Sequence, residues 1–96
     1  MKNSILILCL FLFSCGDNLI EEVTERYDNG GLKYVNYYKK VNDNKELVRW
    51  VSYFKNGQVN VEQNFKGDKL HGNWTHYDKN GKITWEENYI DGKLIK

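Results

Sequence analysis

Trp50-Val51-Ser52-Tyr53-Phe54-Lys55-Asn56-Gly57 returns 24 residues later as Trp74-Thr75-His76-Tyr77-Asp78-Lys79-Asn80-Gly81. The register carries on through Glu62 and Glu86, Asn64 and Asn88, Phe65 and Tyr89, Lys69 and Lys93, and Leu70 and Leu94. Agreement at this many positions marks an internal repeat. An earlier copy begins at Tyr27-Asp28-Asn29-Gly30 and reaches Gly57 after 27 residues. Its three extra residues lie between Tyr38 and Trp50, around Asn42-Asp43-Asn44, and read as a loop insertion. The copies run over about 27–49, 50–73 and 74–96.

Each copy reads as a β-hairpin. Asn29-Gly30, Asn56-Gly57 and Asn80-Gly81 are turn dipeptides, because both residue types tolerate positive φ, and β-prone residues flank them. The strand after each turn alternates with period two. Leu32, Tyr34, Asn36 and Tyr38 become Val59, Val61, Gln63 and Phe65, then Ile83, Trp85, Glu87 and Tyr89. The opposite face carries Asn60, Glu62 and Asn64, then Thr84, Glu86 and Asn88, so one face is expected to be covered and the other wet. Two registers fit the turn. A two-residue type I′ turn pairs His76 with Trp85. A type I turn with a G1 bulge pairs Tyr77 with Ile83 and Thr75 with Trp85. The second is preferred, because it brings Tyr53 and Tyr77 to the apolar face; it sends Trp50 and Trp74 to the other.

Composition agrees. The 96 residues contain no proline and no alanine, while aromatics make up 15%. Lack of the best helix former together with abundant strand formers excludes a helical bundle. The length excludes large enzymes and doubly wound nucleotide folds. The fold expected is all-β: tandem antiparallel hairpins in one sheet, preceded by an N-terminal signal segment.

That segment holds one charge, Lys2, before an unbroken apolar run from Ile5 to Phe13. Nine residues are too few to span a bilayer, which takes roughly 20, and a basic start before a short apolar run is the form of a secretory signal. The run ends in Leu12-Phe13-Ser14-Cys15-Gly16, which resembles the lipobox of bacterial lipoproteins. The resemblance implies a signal over 1–14, cleavage before Cys15 and acylation of its thiol, so that the partner at this end is a membrane. Phe13 departs from the pattern, whose second position is usually small or β-branched. The competing readings are a buried N-terminal strand and an uncleaved amphiphile. Cys9 leaves with the signal, so a Cys9–Cys15 disulfide or metal pair is not expected.

Loss of Lys2 leaves 13 basic against 13 acidic side chains, and no basic footprint for nucleic acid. Residues 15–28 hold Asp17, Glu21, Glu22, Glu25 and Asp28 against Arg26 alone, a net −4. We read 15–26 as an acidic tether that lifts the domain off the lipid, with a short helix over Leu19–Arg26, on the spacing of Leu19, Ile20 and Val23, as the alternative.

From residue 27 onward the chain resembles the variant MORN repeats of bacterial proteins. The pattern is an aromatic-x-x-Asn-Gly turn, a Glu-x-x-aromatic strand, then Asp-Gly-Lys-Leu-x-Gly-x-Trp. The last element stands here as Gly67-Asp68-Lys69-Leu70-His71-Gly72-Asn73-Trp74, with Gly and Asp exchanged, and begins again as Asp91-Gly92-Lys93-Leu94. The likeness is close over 50–94 and weaker in the first copy. It implies a twisted, elongated antiparallel sheet acting as an interaction scaffold. Some relatives are labelled antitoxin components, a cytosolic role that an exported lipoprotein fits poorly.

No chemistry-bearing constellation emerges, and an enzyme is not expected. His71 and His76 lack a third ligand at metal-site spacing, so no metal or other cofactor is expected. Glu62 and Glu86 look like a catalytic carboxylate pair, but they are repeat-equivalent strand positions. Ser52 has no His/Asp partner motif. The candidate partner-binding residues are the aromatics Tyr34, Tyr38, Trp50, Phe65, Trp74, Trp85 and Tyr89. Either the sheet curls on itself with residues 16–26 laid across it, or the aromatic face stays open to a partner. The function expected is a lipid-anchored envelope scaffold contacting another envelope protein or itself. The alternatives are a glycan- or peptidoglycan-binding lipoprotein and an antitoxin-like inhibitor. Replacing the lipidated thiol, Cys15→Ala, is expected to move the protein from the membrane to the soluble fraction; unchanged detergent partitioning would contradict the anchor.

Overall fold

The computed structural model describes residues 19–95, and all regular structure there is β-strand. The strands are β1 (Leu19–Arg26), β2 (Leu32–Val41), β3 (Asn44–Tyr53), β4 (Val59–Lys66), β5 (Lys69–Tyr77), β6 (Ile83–Ile90) and β7 (Lys93–Leu94). They form one open sheet in chain order, each antiparallel to the next. Each strand packs chiefly against its sequence neighbours, and no second layer lies over either face among the described residues. The lipobox and Cys15 lie outside the described residues. The described part measures 46 × 36 × 23 Å, so it is only modestly longer than wide.

The two ends of the sheet use different turns. At one end the segments 27–31, 54–58 and 78–82 share one hydrogen-bond pattern. The N–H of Tyr27, Phe54 and Asp78 donates to the carbonyl of Gly31, Gln58 and Lys82, and the N–H of Gly30, Gly57 and Gly81 donates back to the carbonyl of Tyr27, Phe54 and Asp78. The three glycines sit at φ of +88°, +93° and +88°, where a Cβ is penalised. This is the expected type I turn with a G1 bulge. The Asn29 and Asn56 side chains fix it by accepting from the N–H of Gly31 and Gln58, both at 2.9 Å. At the other end the links are two residues long: Asn42-Asp43, Gly67-Asp68 and Asp91-Gly92. Both residues of the last two have positive φ, as a type I′ turn requires.

Three expectations are corrected here. The tether fails from Leu19 onward, and so does its helical alternative: Leu19–Arg26 is strand β1, paired from Leu19 opposite Lys39 to Arg26 opposite Leu32. Its acidic side chains find partners on β2. Glu21 accepts from the Tyr37 hydroxyl at 3.2 Å, Glu22 from the Tyr38 hydroxyl at 2.9 Å, and Glu25 meets Lys33 at 3.1 Å. Nor does this segment lie across the sheet; it extends it edgewise. The residues around Asn42-Asp43-Asn44 are not a loop insertion either, since β2 and β3 each run ten residues and close on a two-residue turn.

The third correction concerns the faces. One residue into each returning strand the ladder slips. Arg26 faces Leu32 but Glu25 faces Tyr34; Tyr53 faces Val59 but Ser52 faces Val61; Tyr77 faces Ile83 but His76 faces Trp85. Lys33, Asn60 and Thr84 are thus extra residues, in the manner of a β-bulge. Leu32, Val59 and Ile83 therefore drop out of the aromatic row expected for them. The expected wet face holds Val35 and Val51, the only buried hydrophobic residues described, together with buried Thr75 in the same cross-strand row. Tyr37, Tyr53 and Tyr77 alternate onto that face, and their rings supply cover that a second layer would otherwise give. A core this small leaves the ladder and its cross-strand pairs as the main source of stability.

Nothing lies within 4 Å of a Cβ built on Gly57, so Gly57→Ala isolates the backbone effect of its φ of +93°. It is expected to lower stability by roughly 1–2 kcal/mol, with Gly57→Asn losing less. Urea midpoints at unchanged slope measure it, and an unshifted Gly57→Ala midpoint would contradict the turn geometry.

Candidate functional site

The slip at Thr84 decides the site. It pairs His76 with Trp85 and Trp74 with Glu87, which puts Trp74 on the face of Trp85 and Tyr89. The expectation that Trp50 and Trp74 occupy the opposite face is therefore wrong, although the first pair after the turn, Tyr77 with Ile83, is as expected. The Trp74 ring meets Trp85 edge-on at 5.3 Å and lies tilted 6.2 Å from Tyr89. The His76 ring meets Trp85 edge-on at 5.0 Å. Edge-to-face contacts of this kind are the favoured aromatic geometry. A second pair, Tyr34 and Trp50, stacks at 5.8 Å.

A row of cross-strand partners binds the two groups together: Glu22, Asn36, Trp50, Gln63, Trp74 and Glu87 follow one another over six strands. Beside it runs Tyr34, Ser52, Val61, His76 and Trp85. The polar members are tied to the aromatic ones. The Tyr38 hydroxyl donates to Glu22 at 2.9 Å, and the Tyr89 hydroxyl to Glu87 at 2.8 Å. Each bond raises its tyrosine above the ordinary range, and that from Tyr38, with Asn36 beside it, holds Glu22 below the usual carboxylate value. The Lys45 ammonium stands 4.3 Å from the Tyr38 ring centroid, a cation–π contact. Phe65 pairs with Leu70 in the same sheet but makes no ring–ring contact with this group. The Trp74 indole N–H is buried without an acceptor among the described residues.

This face is partly open: Trp85 is 40% exposed, and Tyr34, Tyr38, Trp50, Trp74 and Tyr89 are half-buried. The other residues singled out from the sequence do not converge. His71 accepts from the Asp91 N–H through Nδ1, whereas His76 packs on Trp85. Glu62 lies 3.6 Å from Arg49 while Glu86 accepts from the Thr75 hydroxyl. Ser52 is buried in the ladder. Among the described residues no three His, Cys, Asp or Glu side chains gather where they could hold a metal ion. A groove of about 490 Å³ is lined by Leu19, Val48 and Phe65 with Lys39, Arg49 and His71. Its two charged basic side chains, Lys39 and Arg49, each have a carboxylate within 4 Å, Glu46 and Glu62.

With this geometry in hand, the chain was compared with protein-family models, curated proteins and solved structures, and none matches. No helix of the described residues is long and apolar enough to cross a membrane.

Tyr37, on the Val35 side, carries the clearest electrostatic signature. Burial pushes its hydroxyl well above the ordinary value, and the neighbouring Tyr53 and Glu21 add to the effect. The folded chain holds this proton more tightly than the unfolded one. The associated stability is thus fully present below pH 10.0, the ordinary tyrosine value, and is lost as pH rises past it. Tyr37→Phe is expected to flatten that alkaline loss, read as urea midpoints at about pH 8 and about pH 11; equal losses in the two proteins would contradict it.

Proposed function

We propose that this chain is a lipid-anchored bacterial envelope protein whose MORN-like sheet is a non-catalytic surface for protein contacts. The repeat unit is a hairpin of two strands and a five-residue turn, and three copies fit the chain when the first is taken to start at Leu19. The observation that carries the reading is the aromatic row on a face that has no second layer among the described residues, with Trp85 exposed at its outer strand. Tyrosine and tryptophan dominate the energetics of protein interfaces, and an aromatic surface edged by polar groups is what a partner would cover. Cys15 acylation supplies the membrane partner and keeps the sheet at the envelope surface, where one firm anchor takes more than a single acyl chain. Neither a metal nor another cofactor has a part in this reading, and nucleic acid has none.

Trp85→Ala removes an exposed ring, so the fold is expected to survive with unchanged far-ultraviolet circular dichroism. Crosslinking in intact membranes is expected to join the native chain to one discrete envelope protein, or to a second copy, and Trp85→Ala to reduce that adduct about tenfold or more. The same adduct at full yield would contradict the proposal. Sedimentation with isolated cell-wall material that disappears in Trp85→Ala would replace it with glycan binding.

A further inference from the structure

The two ends of the sheet differ in the side chains they expose. Among the described residues, five of the eight exposed large apolar side chains, Leu19, Ile20, Val41, Ile90 and Leu94, lie at the end closed by the two-residue turns, spread from one edge of the sheet to the other. The five-residue-turn end presents only Ile83, with Trp85 behind it.

Lysines flank those short turns in an arrangement the isolated sheet does not favour. Lys40 stands directly opposite Lys45, and Lys66 directly opposite Lys69. Like charges facing each other across a ladder are destabilising. None of these four, nor Lys93, makes an ion pair among the described residues, although Lys39 beside them lies 3.9 Å from Glu46; at the other end Lys33 and Lys55 meet Glu25 and Asp28 at 3.1 and 3.2 Å, while Lys79 and Lys82 make none. Asp43, Asp68 and Asp91 sit within the turns themselves, so five lysines face three aspartates at the turns, while Glu21 and Glu22 next to Leu19 and Ile20 accept from the Tyr37 and Tyr38 hydroxyls. Long lysine stems that rest on apolar surface while their ammonium groups reach outward suit an anionic lipid headgroup layer.

The point at which the chain joins the sheet selects the same end. Strand β1 begins at Leu19, opposite Lys39, beside the two-residue turns. Only residues 16–18 separate it from Cys15. Four residues reach at most about 14 Å, so an acylated Cys15 cannot hold this end far from the bilayer.

We infer that the two-residue-turn end of the sheet docks on the anionic lipid surface, with Leu19, Ile20, Val41, Ile90 and Leu94 at the headgroup boundary and Lys40, Lys66, Lys69 and Lys93 among the phosphates, Lys45 being held over the Tyr38 ring. The aromatic face then stands away from the membrane plane, open to a partner. This inference rests on the Cys15 anchor proposed above.

The acylated full-length protein, carrying a polarity-sensitive fluorophore on Ile90→Cys or on Lys79→Cys, is reconstituted into phosphatidylglycerol-containing vesicles. The Ile90 probe is expected to shift to the blue and to be quenched by a lipid-borne quencher, and the Lys79 probe to do neither. Adding Lys66→Gln and Lys69→Gln is expected to reduce the docked-to-undocked ratio about thirtyfold, while the protein still sediments with the vesicles. Two probes both reporting water on vesicle-bound protein would overturn the docking and leave the anchor standing. Protein left in the supernatant would overturn the anchor and the docking with it.

Discussion

One extra residue on each returning strand governs how this molecule presents itself. Lys33, Asn60 and Thr84 follow the first pair after a five-residue turn, and each shifts the ladder by one. A shift of one residue in a period-two structure exchanges the faces. The G1 bulge inside the turn displaces the pairing in one direction and the second bulge restores it. Beyond that point His76 opposes Trp85 and Trp74 opposes Glu87, so all the large rings of β5 and β6 except Tyr77 gather on one side. Without the second bulge Trp74 would stand alone among Glu62, Glu86 and the asparagines.

A single sheet has little interior to offer. Its deepest side chains, Val35 and Thr75, lie in a cross-strand row that also includes Val23, Val51, Glu62 and Glu86. The tyrosines of that face make burial possible there, with Tyr37 lodged against Tyr53, Glu21 and Arg49. The opposite face instead packs ring on ring and leaves an indole N–H without an acceptor among the described residues. Charges guard the open edges. Among the described residues β1 ends the sheet on one side and carries Glu21, Glu22 and Glu25, bonded to β2, while β6, paired with β7 only at Tyr89 and Ile90, carries Glu86 and Glu87. Acidic edges on both sides disfavour the chain adding to itself strand by strand.

Local chemistry made some of this legible in advance. Asn56-Gly57 and Asn80-Gly81 announce their turns because the positive φ that Gly57 and Gly81 adopt is costly for other residues, and the alternation of Tyr34, Asn36 and Tyr38 survives intact because those positions lie beyond the bulge. The bulge itself has no residue signature: Lys33, Asn60 and Thr84 share only polarity, and what places them is pairing with another strand. Strand β1 was hidden for a similar reason. Its run of acids reads as a solvated tether until Tyr37, Tyr38 and Lys33 are set opposite, and those partners lie 8 to 16 residues away. A signal did exist in the repeat, since a strand precedes the turn at Phe54 and at Asp78 and one was therefore due before Tyr27.

The decisive observation is the register of β5 against β6, because the aromatic face exists only in one of the two. Cross-strand nuclear Overhauser contacts in the folded protein read it directly. The account predicts backbone contacts of Trp74 with Glu87 and of His76 with Trp85, and contacts between the Trp74 and Trp85 rings. Backbone contacts of Thr75 with Trp85, with the Trp74 ring among Glu62 and Glu86, would contradict it.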